Sequence, residues 1–185
     1  FGHVRGAFTG AEKDTPGKIG AADGGTIFLD EIGTASQRMQ VKLLRFLQSM
    51  EYEPVGSSET VRSSARMILA TNEQLEELVA EGRFREDLYY RLNIIPIAIP
   101  PLRDRKSDIP LLVQHFLKKC NESQGQEPKV ISDETTQMLT KYSWPGNIRE
   151  LGNFIERMVV LSVGINITPR DLPEKVLGEV PRENL

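Results

Sequence analysis

The chain has 185 residues, of which 39% are hydrophobic and 26% are charged, and its formal net charge is −3. This composition is typical of a globular protein with one good core or two small ones, and it excludes an overall basic surface of the kind that binds nucleic acid. The single cysteine, Cys120, excludes an intramolecular disulfide and a cysteine metal cluster, so we expect a reducing, cytoplasmic environment.

The first 23 residues are rich in glycine and contain the run Gly6-Ala7-Phe8-Thr9-Gly10-Ala11. Glycine at both ends of this short run predicts a mobile loop that carries an exposed phenylalanine, and an exposed aromatic side chain indicates contact with a partner. The alternative is that Phe8 folds back into the core, as phenylalanine commonly does.

The Gly17-Lys18 pair does not form a Walker A phosphate loop. That pattern requires a glycine where Glu12 stands and a serine or threonine where Ile19 stands. No other position in the chain fits the pattern, so we interpret Lys18 as a surface residue.

An acidic pair follows a predicted buried strand. The unbroken apolar, β-prone run Thr26-Ile27-Phe28-Leu29 predicts a strand buried on both faces, as in a parallel sheet covered by helices. Asp30 and Glu31 follow at its carboxyl end, where open α/β sheets hold ligands. The stretch is either a Walker B strand, with Asp30 holding Mg²⁺ directly or through water and Glu31 orienting the attacking water, or a core strand that ends in a solvated acidic turn.

Two further segments complete the predicted sheet edge. Ser36 caps a helix with an apolar stripe that ends near Met50, and Tyr52 to Ser64 is a loop or loose hairpin. The run from Met67 to Thr71 predicts a second buried strand. Asn72 would then lie close to the acidic pair, where its amide would hold a water or a phosphate oxygen; a helix N-cap before Glu73 to Ala80 is the compatible alternative.

A charged helix and a third apolar run follow. Gly82 to Asn93 predicts a short amphipathic helix with Arg85 and Arg91 at its edge, either paired with neighbouring acids or facing a phosphate. Ile94 to Ile99 predicts an edge strand, because Pro96 removes one ladder hydrogen bond.

Helical periodicity dominates the rest of the chain after a proline-rich linker near Pro100. We predict helices from Ser107 or Asp108 to Glu122, from Ser132 to Tyr142 and from Ile148 to Val163. The sequence therefore predicts an α/β core over residues 1–101 and an all-α subdomain over residues 102–185.

Five segments together resemble the central AAA+ ATPase domain of bacterial sigma-54-dependent transcriptional activators, enhancer-binding proteins of the NtrC type. The resemblance covers nearly the whole chain and keeps the family order. The matching segments are GAFTGA (Gly6 to Ala11), the Walker B motif GTIFLDEI (Gly25 to Ile32), sensor I (Ala70 to Asn72), the arginine-finger segment FRxDLxxRL (Phe84 to Leu92) and sensor II, WPGNIREL (Trp144 to Leu151).

The resemblance implies a role for each matching side chain in ATP hydrolysis. Asp30 would organise Mg²⁺ at the β- and γ-phosphates, Glu31 would activate the attacking water, and Asn72 would sense the γ-phosphate. Arg85 and Arg91 would be fingers that reach the neighbouring subunit's nucleotide, because charge that develops on the transferred phosphoryl group needs cations in a dry site. Arg149 would contact the nucleotide from a helical lid.

The resemblance also implies the partners. Gly6, Ala7, Phe8, Thr9, Gly10 and Ala11 would form the loop that presses on sigma-54 within the RNA polymerase holoenzyme, and hydrolysis would remodel the closed promoter complex. The family implies ATP and Mg²⁺, a ring of six or seven subunits, no membrane, a regulatory domain as in two-component systems, and DNA contact through a carboxy-terminal domain. Tyr52 to Ser64 would be the second pore-side loop.

The chain departs from the family pattern in its phosphate-binding half. In that family the Walker A loop and its strand precede the position of Phe1, so we expect a segment that begins after them and lacks the phosphate cradle. Gly152 stands where a larger polar residue is common, which predicts a slightly looser lid helix. The expected fold is thus a partial AAA+ parallel-sheet core followed by a helical lid.

Two rival hypotheses remain open. In the first, the chain binds no nucleotide and only presents the GAFTGA loop to sigma-54. In the second, Ser132 to Val163 forms a helix-turn-helix that binds DNA. The charges of its last helix argue against the second hypothesis, because Arg149 and Arg157 are balanced by Glu150 and Glu156 whereas a recognition helix needs a basic surplus.

Overall fold

The computed structural model describes residues 1–124 and 127–179, and it divides the chain into two compact units. Unit 1 spans Phe1–Ile97 and unit 2 begins at Ala98. Unit 1 contains α1 (Gly17–Ala21), β1 (Thr26–Leu29), α2 (Gln37–Ser49), β2 (Glu51–Tyr52), β3 (Val61–Arg62), β4 (Arg66–Leu69), α3 (Leu75–Ala80) and α4 (Glu86–Leu92). Unit 2 contains α5 (Ile109–Gln124), β5 (Val130–Ile131), α6 (Asp133–Lys141), α7 (Asn147–Leu161), β6 (Asn166–Ile167) and α8 (Glu174–Glu179).

The centre of unit 1 is a parallel pair of strands, β1 and β4, in the register Leu29 to Leu69. Both predicted strands are therefore present, and their carboxyl ends lie at the same edge. The prediction that the first strand is buried on both faces is wrong. Ile27 is buried, but Phe28 is 59% exposed and its register partner Ile68 is 43% exposed. The other face packs against α2 and its neighbours, whereas little of the described chain covers this one.

The helix α2 is capped as predicted by Ser36, which precedes its first residue. The Ser36 hydroxyl accepts a hydrogen bond from the Met39 backbone N–H at 3.3 Å. The sequence predicts an apolar stripe of Met39, Leu43, Leu44 and Leu47. The fully buried side of the helix is instead formed by Gln40, Leu43 and Phe46. A buried glutamine at helical spacing from two apolar residues is thus part of the packed face.

The segment from Tyr52 to Ser64 forms the loose hairpin that the sequence predicts, with β2 and β3 antiparallel. Its tip binds the first residues of the chain: the Val4 N–H donates to the Val55 carbonyl at 3.0 Å, and the Val55 N–H donates to the Gly2 carbonyl at 2.9 Å. At Gly56, with φ +83°, an added Cβ would lie 2.6 Å from the Ala7 Cβ. The hairpin tip and the amino-terminal loop therefore pack closely, and only glycine fits at this contact.

Two predictions for unit 1 are corrected. Ile94 to Ile99 forms no strand, because Pro96 lacks an N–H and no described strand lies beside the segment. Ile95 and Ile97 are accordingly 81% and 83% exposed. Asn72 is not a helix N-cap, since α3 begins later and Gln74 precedes it.

Unit 2 packs around Trp144, which is fully buried and lies edge-on to Tyr142 and Phe154 with centroid distances of 4.9 and 5.4 Å. Its indole N–H donates to the Leu139 carbonyl at 2.8 Å, so the polar atom is satisfied. The predicted cap at Ser132 is confirmed by a 3.2 Å bond from the Thr135 N–H.

The all-α prediction for unit 2 misses a small element. β5 and β6 form a two-stranded parallel pair, and the chain adds the short helix α8. Pairs of two residues carry no readable periodicity, which is why the sequence does not reveal them. Within residues 1–124 and 127–179, no helix is both long and apolar enough to cross a membrane.

Candidate functional site

The acidic pair lies directly after β1 at the carboxyl edge of the parallel strands. Asp30 and Glu31 are both exposed, and the Glu31 N–H donates to the Asp30 Oδ1 at 3.0 Å. Glu31 adopts φ 54°, ψ 42°, the left-handed region that glutamate rarely occupies. This conformation costs on the order of 1 kcal/mol, and the surrounding hydrogen bonds must hold it.

A short 3-10 turn, Ile32–Thr34, supplies those bonds. The Thr34 N–H and hydroxyl both donate to the Glu31 carbonyl, at 3.0 and 2.8 Å. The Ile32 N–H donates to the Ala70 carbonyl at 3.0 Å, which joins the acidic turn to the chain that leaves β4. The backbone around Glu31 is therefore fixed to both strands.

The polar end of β4 lies beside this turn. Thr71 and Asn72 are exposed, and the register of the strands sets Ala70 level with Asp30. The Thr71 hydroxyl accepts from the Glu73 N–H at 3.0 Å. Among the described residues, neither the Asn72 amide nor the Glu31 carboxylate makes a side-chain hydrogen bond, so both are available to a ligand.

The two predicted finger arginines lie on or next to α4 and already have partners in their own chain. Arg85 makes a bidentate pair with Asp87, with contacts of 3.0 and 2.6 Å. This hydrogen bonding lowers the pKa of Asp87 and raises the pKa of Arg85. Arg91 donates from Nε and Nη2 to the Leu47 carbonyl near the end of α2, at 3.2 and 2.9 Å. No described bond joins either arginine to the acidic pair.

Arg149 lies near the start of α7 in unit 2 and is exposed. It borders an open groove of about 450 Å³ between α5 and α7, together with Cys120 and Asn153. At Gly152 an added Cβ would lie 3.1 Å from the Phe116 ring, so this ring fills the space that a side chain would take. This contact gives no sign of the looser lid helix that the sequence predicts at Gly152.

The GAFTGA loop is closed at its base and exposed at its tip. The Gly6 N–H donates to the Ala11 carbonyl at 2.8 Å, and Gly6 and Gly10 have φ values of +78° and +96°. Phe8 is 54% exposed, so the hypothesis that it folds into the core is wrong. Its ring lies against His3, with centroids 4.9 Å apart, and Thr9 is exposed beside it.

Sequence reasoning missed several residues that support these groups: His3 under Phe8, Asp87 on Arg85, Gly56 against Ala7, and Gln40. Asp87 stands two positions after Arg85 in a charged helix, a spacing that could have indicated the pair. Gln40 gives no such signal, because its three hydrogen bonds reach backbone atoms of residues that are up to 45 positions distant.

Comparison with known families finds two matches that together cover most of the chain. A family described as "Sigma-54 interaction domain" matches residues 1–98, and one described as "AAA+ ATPase lid domain" matches residues 103–184. The first match covers more than half of the chain.

Curated relatives agree with these matches. The chain is 52% identical over 173 residues to the transcriptional regulatory protein ZraR of Salmonella typhimurium, covering 94% of this chain and 39% of the relative. It is 52% identical over 185 residues to the Nif-specific regulatory protein of Klebsiella pneumoniae, covering 96% of this chain and 35% of that protein. The chain thus spans well under half the length of these relatives.

Solved structures show the same fold. NtrX from Brucella abortus matches with a TM-score of 0.84 at 35% identity, covering 92% of this chain and 40% of that one. NtrX crystallised with ADP matches with a TM-score of 0.81 at 37% identity, covering 86% of this chain and 38% of that one. The parallel strands that lead into Asp30 and Ala70, the exposed GAFTGA loop and the helical unit are therefore those of a sigma-54 interaction domain with an AAA+ lid, and the chain belongs to that family.

Proposed function

We propose that this chain is the hydrolytic and sigma-54-contacting part of an ATPase that activates sigma-54-dependent transcription. The observation that carries the proposal is the carboxyl edge of β1 and β4. There an exposed carboxylate pair, with Glu31 held in a strained backbone conformation, stands next to the unengaged Asn72 amide. NtrX, a relative of the same fold, was crystallised with ADP and with ATP, which supports a nucleotide as the ligand.

In the proposed reaction, water attacks the γ-phosphorus of ATP and the bond from that phosphorus to the β,γ-bridging oxygen breaks, releasing ADP and phosphate. Glu31 accepts a hydrogen bond from the attacking water and takes its proton as the new oxygen–phosphorus bond forms, and this proton then passes to the released phosphate or to solvent. Asn72 donates to the γ-phosphate or holds the water in line. Most of the barrier reduction would come from such positioning and from electrostatic stabilisation.

The donor set at Asp30 fits Mg²⁺. This ion usually keeps several waters and binds through one or two carboxylates plus substrate phosphates. Asp30 offers one exposed carboxylate at the sheet edge, and the described residues hold no cluster of three or more metal-binding side chains. When bound with the nucleotide, Mg²⁺ would neutralise charge on the β- and γ-phosphates.

Arg85 and Arg91 act in a neighbouring subunit in this proposal, and the protein works as a ring. The support is that neither arginine contacts the acidic pair of its own chain, while each is exposed and lies on or next to the same short helix. An arginine supplied in trans typically contributes about 10³- to 10⁵-fold to turnover. To act, Arg85 would exchange Asp87 for the phosphate.

Glu31→Ala tests the hydrolytic assignment in the longer protein of which we propose this chain forms a part. We expect phosphate release to fall at least about 100-fold with ATP binding retained, because the attacking water loses its acceptor. Glu77→Ala, which removes an exposed glutamate of α3, is the matched control and should leave turnover unchanged. Equal turnover in the Glu31→Ala protein and the parent would contradict the proposal.

The GAFTGA loop would contact sigma-54 through Phe8 and Thr9. We expect Thr9→Ala to spare ATP hydrolysis and to stop promoter opening, because Thr9 is exposed at the loop tip and lies away from the acidic pair in the chain. An equal fall in hydrolysis would show that Thr9 is structural and that the loop assignment is wrong.

A second candidate function applies to the 185 residues by themselves: a non-catalytic fragment that presents the loop to sigma-54. The observation that favours it is the lack of a Walker A pattern, since Glu12 and Ile19 replace the required residues around Gly17-Lys18. Phosphate release by the isolated chain that is abolished by Glu31→Ala would exclude this candidate. A G-x-x-x-x-G-K-[ST] segment upstream in the gene would favour the first.

A further inference from the structure

Gln40 is a fully buried polar residue in the middle of unit 1. It lies on the packed face of α2 with Leu43 and Phe46. A buried amide is strongly destabilising when it lacks partners, so its hydrogen bonds determine whether such a residue is tolerated.

All of its hydrogen bonds go to the backbone of two other segments. The Gln40 Nε2 donates to the Ala35 carbonyl at 2.8 Å and to the Arg83 carbonyl at 3.0 Å. Its Oε1 accepts from the Arg85 N–H at 2.9 Å. One side chain therefore joins the end of the acidic turn to the residues on either side of the buried Phe84.

The acidic end of this connection is rigid. The Ala35 N–H donates to the Ile32 carbonyl at 3.1 Å, and the turn between them holds the Glu31 carbonyl through two bonds from Thr34. Ile32 is in turn bonded to Ala70 beyond β4. These bonds do not involve Gln40, so the acidic turn would keep its geometry without it.

The arginine end depends more on Gln40. Arg85 stands at the N-cap position of α4 and its own side chain makes no cap hydrogen bond, although Asp87 Oδ1 accepts from the Leu88 N–H in the first turn at 2.8 Å. Among the described residues, the exposed Gln37 is the other side chain of α2 that bonds this stretch, donating to the Gly82 and Arg83 carbonyls at 3.3 and 3.0 Å. The Arg83 and Phe84 N–H groups both donate to the Leu78 carbonyl, at 2.9 and 3.0 Å, whereas the Arg85 N–H donates to Gln40. The backbone at Arg85 sets the direction in which its guanidinium leaves the helix.

We propose that Gln40 is a positioning residue that fixes the backbone at Arg85 to the turn after Asp30 and Glu31 of the same subunit. Arg85, the finger that acts on the nucleotide of the neighbouring subunit, is thereby held at a fixed position relative to the acidic pair of its own subunit. The inference rests on the proposed function. An amide is required because one group must donate to two carbonyls and accept from one N–H. A glutamate would set its oxygens against the Ala35 and Arg83 carbonyls, and a methionine would fill the space without bonding.

The test uses Gln40→Met in the longer protein. We expect kcat for ATP to fall about 10- to 100-fold, the effect of misplacing a catalytic group by about 1 Å, while KM for ATP changes by less than about twofold. Gln48→Met, an exposed glutamine on the same helix without a described partner, is the matched control and should be unchanged. A parallel rise in KM would contradict a role through Arg85 alone.

Mixed rings separate positioning from a general structural defect. Glu31→Ala subunits cannot hydrolyse ATP but carry a correctly placed Arg85. When they are mixed with Gln40→Met subunits, this Arg85 should complete the site formed by the intact Asp30 and Glu31 of a neighbouring Gln40→Met subunit and restore its turnover. A merely structural lesion in Gln40→Met would not be rescued. Equal parts of the two variants should exceed the summed activity of each alone, and no gain would overturn the inference.

An Arg85→Ala and Glu31→Ala mixture controls for the proposed function itself. If this mixture gains no activity, the finger does not act in trans and the proposed function fails at that point. If it gains activity and the Gln40→Met mixture does not, only the present inference fails.

Gln37→Ala keeps the test decisive if Gln40→Met does not fold. Gln37 is exposed, and its loss removes only bonds to the Gly82 and Arg83 carbonyls. We expect kcat to fall about two- to tenfold, the value of about one net hydrogen bond, with the same rescue by Glu31→Ala subunits. Unchanged kcat, or a loss without rescue, would overturn the inference.

Discussion

The two units distribute their apolar side chains differently. Unit 2 gathers 14 described buried residues into one cluster around Trp144, whereas unit 1 divides its buried residues between two clusters of five each. Both units leave large apolar side chains exposed, among them Phe28 in unit 1 and Val163 in unit 2. The difference is that the helical unit is packed around one core, whereas the α/β unit is packed around two smaller ones.

The polar residues follow the opposite distribution. Five of the six side chains that we propose for hydrolysis and nucleotide contact lie in unit 1, after strand ends or on or next to one short helix: Asp30, Glu31, Asn72, Arg85 and Arg91. Their backbone is held by few, specific hydrogen bonds instead of by bulk packing. We therefore expect the stability of unit 2 to respond mainly to changes of side-chain volume, and the function of unit 1 mainly to the loss of individual polar contacts.

The largest expected effect is on the core of unit 2. Leu151→Ala removes a fully buried side chain beside Trp144, and we expect the free energy of unfolding to fall by about 2–5 kcal/mol because a cavity remains. The measurement is urea unfolding followed by the fluorescence of Trp144, the single tryptophan.

Two controls define that comparison. Leu111→Ala removes a leucine of the same unit that is 68% exposed, and Phe28→Ala removes a phenylalanine of unit 1 that is 59% exposed. Both should change stability by less than about 1 kcal/mol, with Trp144 fluorescence reporting the Leu111→Ala variant of unit 2 and far-ultraviolet circular dichroism the Phe28→Ala variant of unit 1. A loss at Phe28 as large as that at Leu151 would mean that the exposed sheet face is covered in solution.

The sequence was sufficient for features that depend on local pattern. The apolar runs Thr26 to Leu29 and Met67 to Thr71 predicted both strands, and Ser36 and Ser132 predicted two helix starts, because strand propensity and capping are properties of neighbouring residues. The family order of the motifs predicted the fold that NtrX shares.

The sequence failed where a side chain depends on distant backbone. Gln40 looks like an ordinary polar residue on α2, and its role arises only when Ala35 and Arg83 are brought together. The exposure of Phe28 likewise depends on which other segments pack against β1, and the residues of β1 alone do not determine it. The left-handed conformation of Glu31 has no signal in residue type, since glutamate does not favour it.

A smaller effect is expected at the two serine caps, which form a matched pair across the units. Ser132→Ala should cost about 1 kcal/mol, and somewhat more than Ser36→Ala, because the Ser132 hydroxyl also shares a 2.8 Å hydrogen bond with the Thr135 hydroxyl. Within the described part of the chain, the Ser36 hydroxyl has only the 3.3 Å bond from the Met39 N–H. Trp144 fluorescence reports the first variant and far-ultraviolet circular dichroism the second; a larger loss for Ser36→Ala would reverse the comparison.

Acid should affect unit 1 through Asp23. Bonds from the Ser64 N–H and hydroxyl lower the pKa of Asp23 below its ordinary value. A carboxylate with a depressed folded pKa stabilises above the unfolded pKa of about 4, and this contribution is lost as the pH falls through the folded pKa.

In Asp23→Asn, the urea concentration at the midpoint of unit 1 unfolding should therefore fall less steeply than in the parent between about pH 5 and pH 2. Urea titrations followed by circular dichroism at several pH values give the midpoint, with the exposed Glu12→Gln as control. An unchanged pH slope in Asp23→Asn would show that its bonds to Ser64 do not form in solution.

Alkali should affect unit 2 through Lys175, the mirror image of the acid effect. The Lys175 ammonium donates to Glu150 Oε1 at 2.9 Å, and this bond raises the pKa of Lys175. A cation with a raised folded pKa stabilises fully below the unfolded pKa of about 10.4, and the contribution is lost as the pH rises through the folded value.

The urea midpoint of unit 2 unfolding, followed by Trp144 fluorescence, should therefore fall above about pH 10 in the parent. Lys175→Met should remove this fall, and Lys119→Met, which changes an exposed lysine, should retain it. The effect is small because the pair is partly solvated, so an equal alkaline fall in both variants would assign the loss to other groups of unit 2.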